Sequence, residues 1–401
     1  MQSSKVALRV TLLVSAMLIS SHRTSHAQYY VERTVWDRFG GSELNISSFA
    51  FRDINRNGVY DMNDQPMAGA VFKLTGGGKA INRSTNKSGF GNFSVSALNR
   101  NEDVVNRGEY EFLALIPPGW LLTTNNASQQ TFFEIMPGAP GDMISSTPIQ
   151  PVGLAQELSI RGRLASSTVG TLAHTPAPGS ANQIRARAVS PAGKEQEIVA
   201  DQSGLFTFTA APGTWTITAE DMAGRRSGER KVEVSASPVW VAALVPGEDR
   251  RGDAGRSTSI SFDDLVSSGI KEIPSGYHGL NWANWVATHQ KFYDGEGYPN
   301  TTMSGEFVAY NSSGHPVSIS RERPFDFVGG YFGSAWLRAE GETLRVKGWR
   351  RGTLAYDDTI KLSALGPVYF AASFQGITRL EFATGRYWQF VCDDLDFLLS
   401  D

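Results

Sequence analysis

The sequence predicts an all-β protein, two prealbumin- or Ig-like β-sandwiches followed by a jelly-roll-type β-sandwich. Three observations lead there. Short segments alternating between apolar and polar residues recur along most of the chain, the pattern of strands with one buried face. Turn formers stand between them, drawn from 41 Gly and 18 Pro, which is the punctuation of a protein with many reversals. Helix-period patterning is weak beyond the N-terminal segment. At 401 residues the chain exceeds one ordinary core, so several domains are expected.

The N-terminus opens with Lys5 and Arg9, continues through the apolar run "VTLLVSAMLIS" and reaches "SHA" at Ala27. This is the pattern of a secretory signal peptide over residues 1–27. An uncleaved anchor is the competing reading, but the apolar run is short for a bilayer. The expectation is a secreted, periplasmic or cell-surface protein with no membrane insertion after cleavage. Cys392 is the single cysteine, so no intramolecular disulfide can brace the fold and packing or metal must do so. A net charge of −3 argues against nucleic acid, whose phosphates call for a basic excess.

Residues 28–155 read as the first sandwich. Its strand signals are "ELNISSFAF", "AGAVFKL" with Ala70, Phe72 and Leu74 at period two, "GNFSVSAL" and "EYEFLALIPPGW". The Pro- and Gly-rich "MPGAPGDMISSTPIQPVG" reads as a return loop or interdomain linker. Residues 156–247 form a second unit, with "LSIRGRL", "NQIRARAVS", "KEQEIVAD", "GLFTFTAAPGTWTITAE" and "RKVEVSA" as strands. Residues 248–259, "EDRRGDAGRSTS", read as a charged linker. Residues 260–401 carry at least seven more alternating segments, from "SISFDDL" to "WQFVCDDLDF", and suggest the jelly roll.

The most specific motif is "FRDINRNGVYDMNDQP" from Phe51. On the spacing of a calcium loop, Asp53, Asn55, Asn57, the Val59 carbonyl, Asp61 and Asp64 fall on the ligand positions, and Gly58 on the sharp turn. Calcium takes six to eight hard oxygens, and alternate residues of a tight loop turn theirs toward one centre. A hairpin turn rich in Asp and Asn for its own sake is the plainer alternative. With strands rather than helices on both sides, the expected role is a structural calcium clamp.

"FRDINRNGVYDMNDQPMAGAVFKL" resembles the calcium-binding B repeats of Gram-positive serine–aspartate repeat adhesins, with Gly69-Ala70 where Gly-Val is usual. "NKSGFGNFSV" and "IPPGW" resemble later strands of that family. The loop also resembles half of a dockerin, which would need a following helix and a second copy. "ADQSGLFTFTAAPGTWTITAEDMAG" resembles the carboxypeptidase regulatory-like, or transthyretin-like, sandwich, and that resemblance implies a spacer rather than a catalyst. "ISFDDL", "IPSGYHGLNWANW", "FDFVGGYFGSAW" and "FVCDDLDF" resemble C-terminal domains of exported bacterial proteins that carry exosortase-sorting tails.

Aromatics crowd the third unit: Tyr277, Trp282, Trp285, Tyr298, Trp336, Trp349 and Trp388. Exposed rings stack on sugars, whereas buried ones fill a core. "GLNWANW" has the composition of a loop, so Tyr277, Trp282 and Trp285 are the candidate ligand-facing residues. Acidic residues stand at both ends of the unit, Asp263 and Asp264 against Asp393, Asp394 and Asp396. If the first and last strands pair, Asp263 and Asp393 are candidates for a second metal, for an acid–base pair, or for solvated strand ends. No G-x-S-x-G elbow is present, and the histidines lack metal-ligand spacing. Cys392, among apolar neighbours, reads as a buried small hydrophobe. The expected function is non-catalytic binding of a glycan or other cell-surface or extracellular polymer. A polysaccharide hydrolase and a structural envelope or matrix component are the alternatives.

Overall fold

A computed structural model describes residues 44–95, 103–135, 143–145, 149–165, 184–249 and 258–399. The protein is all-β within them, apart from the short helix Gly297–Thr301 and three single 3-10 turns. No described helix is long and apolar enough to cross a membrane. The signal pattern of residues 1–27 and residues 250–257 of the linker lie outside the described residues.

Alternation builds the first unit. In the strand Val71–Gly76, Phe72 and Leu74 are buried while Val71 and Lys73 stay half-buried. One sheet runs Lys79–Ser84, Val71–Gly76, Gly108–Leu115, Ser128–Ile135 and Met143–Ser145. The other centres on Leu44–Arg52, flanked by Gln65–Pro66, Phe90–Val95 and Val152–Gln156. Phe93 and Phe112 meet edge-to-face between them at 5.4 Å, a geometry favoured by the ring quadrupoles. The Pro- and Gly-rich return segment is partly strand: Met143–Ser145 extends one sheet and Val152–Gln156 lies parallel to Leu44–Arg52 in the other.

The middle unit stacks two sheets around Trp215, Ile217, Phe206 and Phe208. Glu195–Val199, Ile184–Val189, Gly213–Asp221 and Arg230–Val234 form a complete four-stranded layer. The facing layer, Leu205–Thr209, Ser159–Leu164 and Val239–Leu244, does not end at its edge. Val239–Leu244 pairs in parallel with Val368–Thr384 of the third unit, Val239 opposite Tyr369 and Val241 opposite Ala371. Every residue of "VWVAAL" is buried, as expected of a central strand covered on both faces.

The third unit is built on two long strands, Val317–Ser334 and Val368–Thr384, which pair along most of their length. Register shifts between Ser320 and Gly329 bend them, so that one end of each serves one layer and the other end the second. One end pairs with Asn281–Ala283 and Thr343–Arg350; the other pairs with Phe390–Leu399 and Val239–Leu244. The core between the layers is aromatic, with Trp285, Phe327, Phe332, Phe382 and Phe390 all buried.

The first and third units dock through the buried helix Gly297–Thr301. Asn300 donates Nδ2 to the carbonyls of Ala68 and Ala364 at 2.9 Å each, and its Oδ1 accepts the Ala68 N–H at 3.0 Å. Arg52 donates to the Asn300 carbonyl at 2.6 Å and to Gln65 Oε1 at 3.0 Å. Burial pulls the Arg52 guanidinium down to about 10, yet its hydrogen-bond partners are neutral acceptors rather than a carboxylate. Asn300→Ala strands three buried backbone groups and should cost about 3 kcal/mol of stability. Urea denaturation of the full chain measures this, and a loss below about 1 kcal/mol would mean the joint is not closed as described.

Candidate functional site

The Asp53–Asp64 loop springs from the paired residues Arg52 and Gln65. Its side chains converge. Asn55 and Asn57 each donate Nδ2 to Asp61 Oδ2 at 2.8 Å. Asp53 accepts the N–H groups of Asn57 and Gly58 at 3.1 and 2.7 Å. Asp64 accepts those of Ile54 and Asp61 at 2.9 and 3.0 Å. Gly58 has φ +74°, and a Cβ there would lie 2.8 Å from the Thr123 carbonyl oxygen, so the turn requires glycine for conformation and for space. Asp53 and Asp64 are buried. Burial pushes the Asp64 carboxyl up to about 6, with the charges of Asp53 and Asp61 adding and the N–H groups of Asp61 and Ile54 opposing.

Among the described residues no three of His, Cys, Asp and Glu alone form a metal-holding group. A cation in this loop would therefore also draw on amide oxygens of Asn55 and Asn57 and on the Val59 carbonyl. Such a set, hard oxygens throughout, fits calcium chemistry. The two amides would need to turn their oxygens inward, since each now presents its NH₂ to Asp61.

The acidic ends of the third unit do come together. Thr258–Ile260 pairs with Phe390–Leu399, Ile260 opposite Leu395. Asp263 accepts the N–H groups of Glu306 and Phe307 at 2.8 and 3.2 Å. Asp393 accepts those of Met303 and Ser304 at 2.6 and 3.1 Å. Both carboxylates thus hold one bend, residues 303–307. Burial pushes the Asp393 carboxyl well up, and the charge of Asp394 adds to it. Asp263 uses Oδ1 and Asp393 uses Oδ2 in these bonds, so the arrangement fixes backbone.

Trp282 and Trp285 do not face a ligand, contrary to the reading of "GLNWANW" as a loop. Trp285 is fully buried, edge-on to Phe382 and Phe390 at 5.5 and 5.6 Å, and its indole donates to the Ser318 carbonyl at 3.2 Å. Trp282 is buried beside it and donates to the Tyr277 carbonyl at 2.9 Å. Asn284 explains the pair. Its φ of +66° interrupts the strand between Asn281–Ala283 and Trp285–His289, resetting the alternation so that both indoles turn inward. Tyr277 is half-buried against Phe262 and donates its hydroxyl to Asp264 at 2.5 Å.

What the same strand does present outward is Asn281 and Ala283, and these border a groove. Register places Asn281, Ser320, Arg379 and Trp349 side by side across four strands, with Ala283, Ser318, Glu381 and Lys347 as the next row. Two hollows of about 470 and 550 Å³ lie along this face and share Arg379 and Glu381. Trp349, half-buried, donates its indole N–H to Glu381 at 2.9 Å. Arg379 holds the other oxygen of Glu381 at 2.7 Å. The groove thus combines one tethered indole with amide, hydroxyl, guanidinium and ammonium groups on rigid strands. The signal was present in "TLRVKGWR": Leu344 and Val346 point inward, so Trp349 shares the outer face with Arg345 and Lys347.

No family model matches the chain. No curated protein matches it either. Several solved structures are similar in part. The Bacillus anthracis TIE protein is 11% identical over 54% of this chain, with a TM-score of 0.21, and this chain spans 38% of its length. The CBM22-1 xylan-binding domain from Paenibacillus barcinonensis is 14% identical over 37% of this chain and 96% of its own, TM-score 0.23. The shaft pilin spaA from Lactobacillus rhamnosus GG is 11% identical over 54% of this chain and 100% of its own, TM-score 0.22. Nothing about function follows from likeness at this level.

Proposed function

We propose that the chain is an exported, non-catalytic binding protein whose C-terminal sandwich takes a glycan or other extracellular polymer in the groove beside Trp349. The observation carrying this reading is the groove itself. An aromatic ring offers a face for sugar C–H groups, and the surrounding polar side chains can satisfy hydroxyls while strands fix their positions. Glu381, at the centre of the groove, is engaged by Trp349 and Arg379, which favours recognition over acid–base chemistry. The leader pattern of residues 1–27 supports export. The Asp53–Asp64 loop is part of the proposal as a calcium clamp: Asp53, Asn55, Asn57, Asp61, Asp64 and the Val59 carbonyl would hold the ion, which would supply cross-linking of the loop and no chemistry.

The test is retention of the full chain on a panel of immobilised polysaccharides. Trp349→Ala should weaken binding at least about tenfold, as removal of an interface indole does, with an unchanged melting curve. Undiminished binding by that variant, or no binding by folded wild type to any polymer, would end the groove reading.

A further inference from the structure

We infer that the polymer is an acidic polysaccharide whose anionic groups meet Lys347 and the two arginines beside it; this rests on the groove being the binding site. The chain as a whole is acidic, at −3, yet the groove is lined by Arg321, Arg345, Lys347 and Arg379 against Glu322 and Glu381. The pairing within it sharpens the point. Lys347 stands in register between Glu381 on one neighbouring strand and Asp357 on the other. Arg379 bridges the first of these carboxylates, and Arg345 the second, its Nε 2.7 Å from Asp357 Oδ1. Three cations therefore share two carboxylates. Lys347 makes no ion pair among the described residues.

The arginines are also open to solvent, with side chains 55% exposed at Arg345 and 54% at Arg379. A guanidinium has five N–H donors in a planar fork, so each arginine keeps donors for a ligand after engaging its carboxylate. Forks of this kind match the oxygens of carboxylates, while an ammonium binds as a point charge. A neutral glycan would leave this surplus charge unanswered. A chain bearing carboxylate or sulfate groups would complete it, and the indole of Trp349 would take a sugar ring alongside. The shared chemistry is an anionic oxygen group on a polysaccharide; uronate and sulfate are its two sources.

Full-length protein is compared on polygalacturonate, dextran sulfate and neutral dextran and xylan. Binding to at least one acidic polymer should exceed binding to the neutral ones by about tenfold or more, and should weaken as salt is raised. Preference for the first polymer over the second identifies uronate, the reverse sulfate. Lys347→Gln should lose about tenfold on the acidic polymer, Lys347→Arg should retain most of it, and Lys194→Gln in the middle unit should change nothing. Equal binding to neutral and acidic polymers, with Lys347→Gln silent, would overturn the acidic inference and leave the groove reading standing. An equal loss in Lys194→Gln would reduce the effect to general ion exchange and overturn it too. Absence of binding to every polymer by folded protein would instead remove the groove reading on which the inference rests.

Discussion

Trp285→Ala is expected to destabilise the protein by about 3–5 kcal/mol, the cost of deleting a large aromatic from a packed core. The indole has no exposed surface, packs edge-on to Phe382 and Phe390, and donates to the Ser318 carbonyl. Truncation removes the ring contacts, opens a cavity and leaves that carbonyl without its donor. Chemical denaturation of the full chain reads the loss. The contrast with Trp349→Ala makes the experiment decisive: one tryptophan should govern stability and the other binding. A change below about 1 kcal/mol at Trp285 would mean that the indole is not packed as described.

Calcium is expected to raise the melting temperature of the full chain, and chelation to lower it. At a free ion concentration about a hundredfold above Kd the increment is about 2.7 kcal/mol. Such an increment would follow from an ion that binds the folded loop and not the unfolded chain. Asp53→Ala should abolish the calcium increment, since this buried carboxylate would be the first ligand of the proposed clamp. A Mg²⁺-only control separates the effect from general screening. If scans with calcium and with chelator superimpose, the loop is an Asx-rich turn held by its own hydrogen bonds and the clamp is excluded.

How far the sequence could be read depended on whether the deciding contact was local. The turn geometry of the Asp53–Asp64 loop was legible in the sequence, because Asx turns and the glycine at φ +74° are properties of neighbours in the chain. Strand identity was legible for the same reason: alternation in "VFKL" directly marks Phe72 and Leu74 as core. The orientation of Trp282 and Trp285 was not. It depends on Asn284 adopting a positive φ, which its residue type permits without requiring. The groove could not be read whole, because its rows are assembled from four strands far apart in sequence. The meeting of Thr258–Ile260 with Phe390–Leu399 could be posed only as a condition, since long-range pairing leaves no periodic trace.

The parallel seam between Val239–Leu244 and Val368–Thr384 bears on how the chain can be dissected. Cutting before residue 260 would strip Val368–Thr384 of a neighbour and bare an apolar strand edge, the kind of surface that recruits other chains. Ending the middle unit after Leu244 would expose the opposite edge, on a strand buried along its whole length. A truncated C-terminal fragment would thus invite aggregation that could pass for ligand-induced assembly. The smallest sound unit for biophysical work retains both sides of the seam.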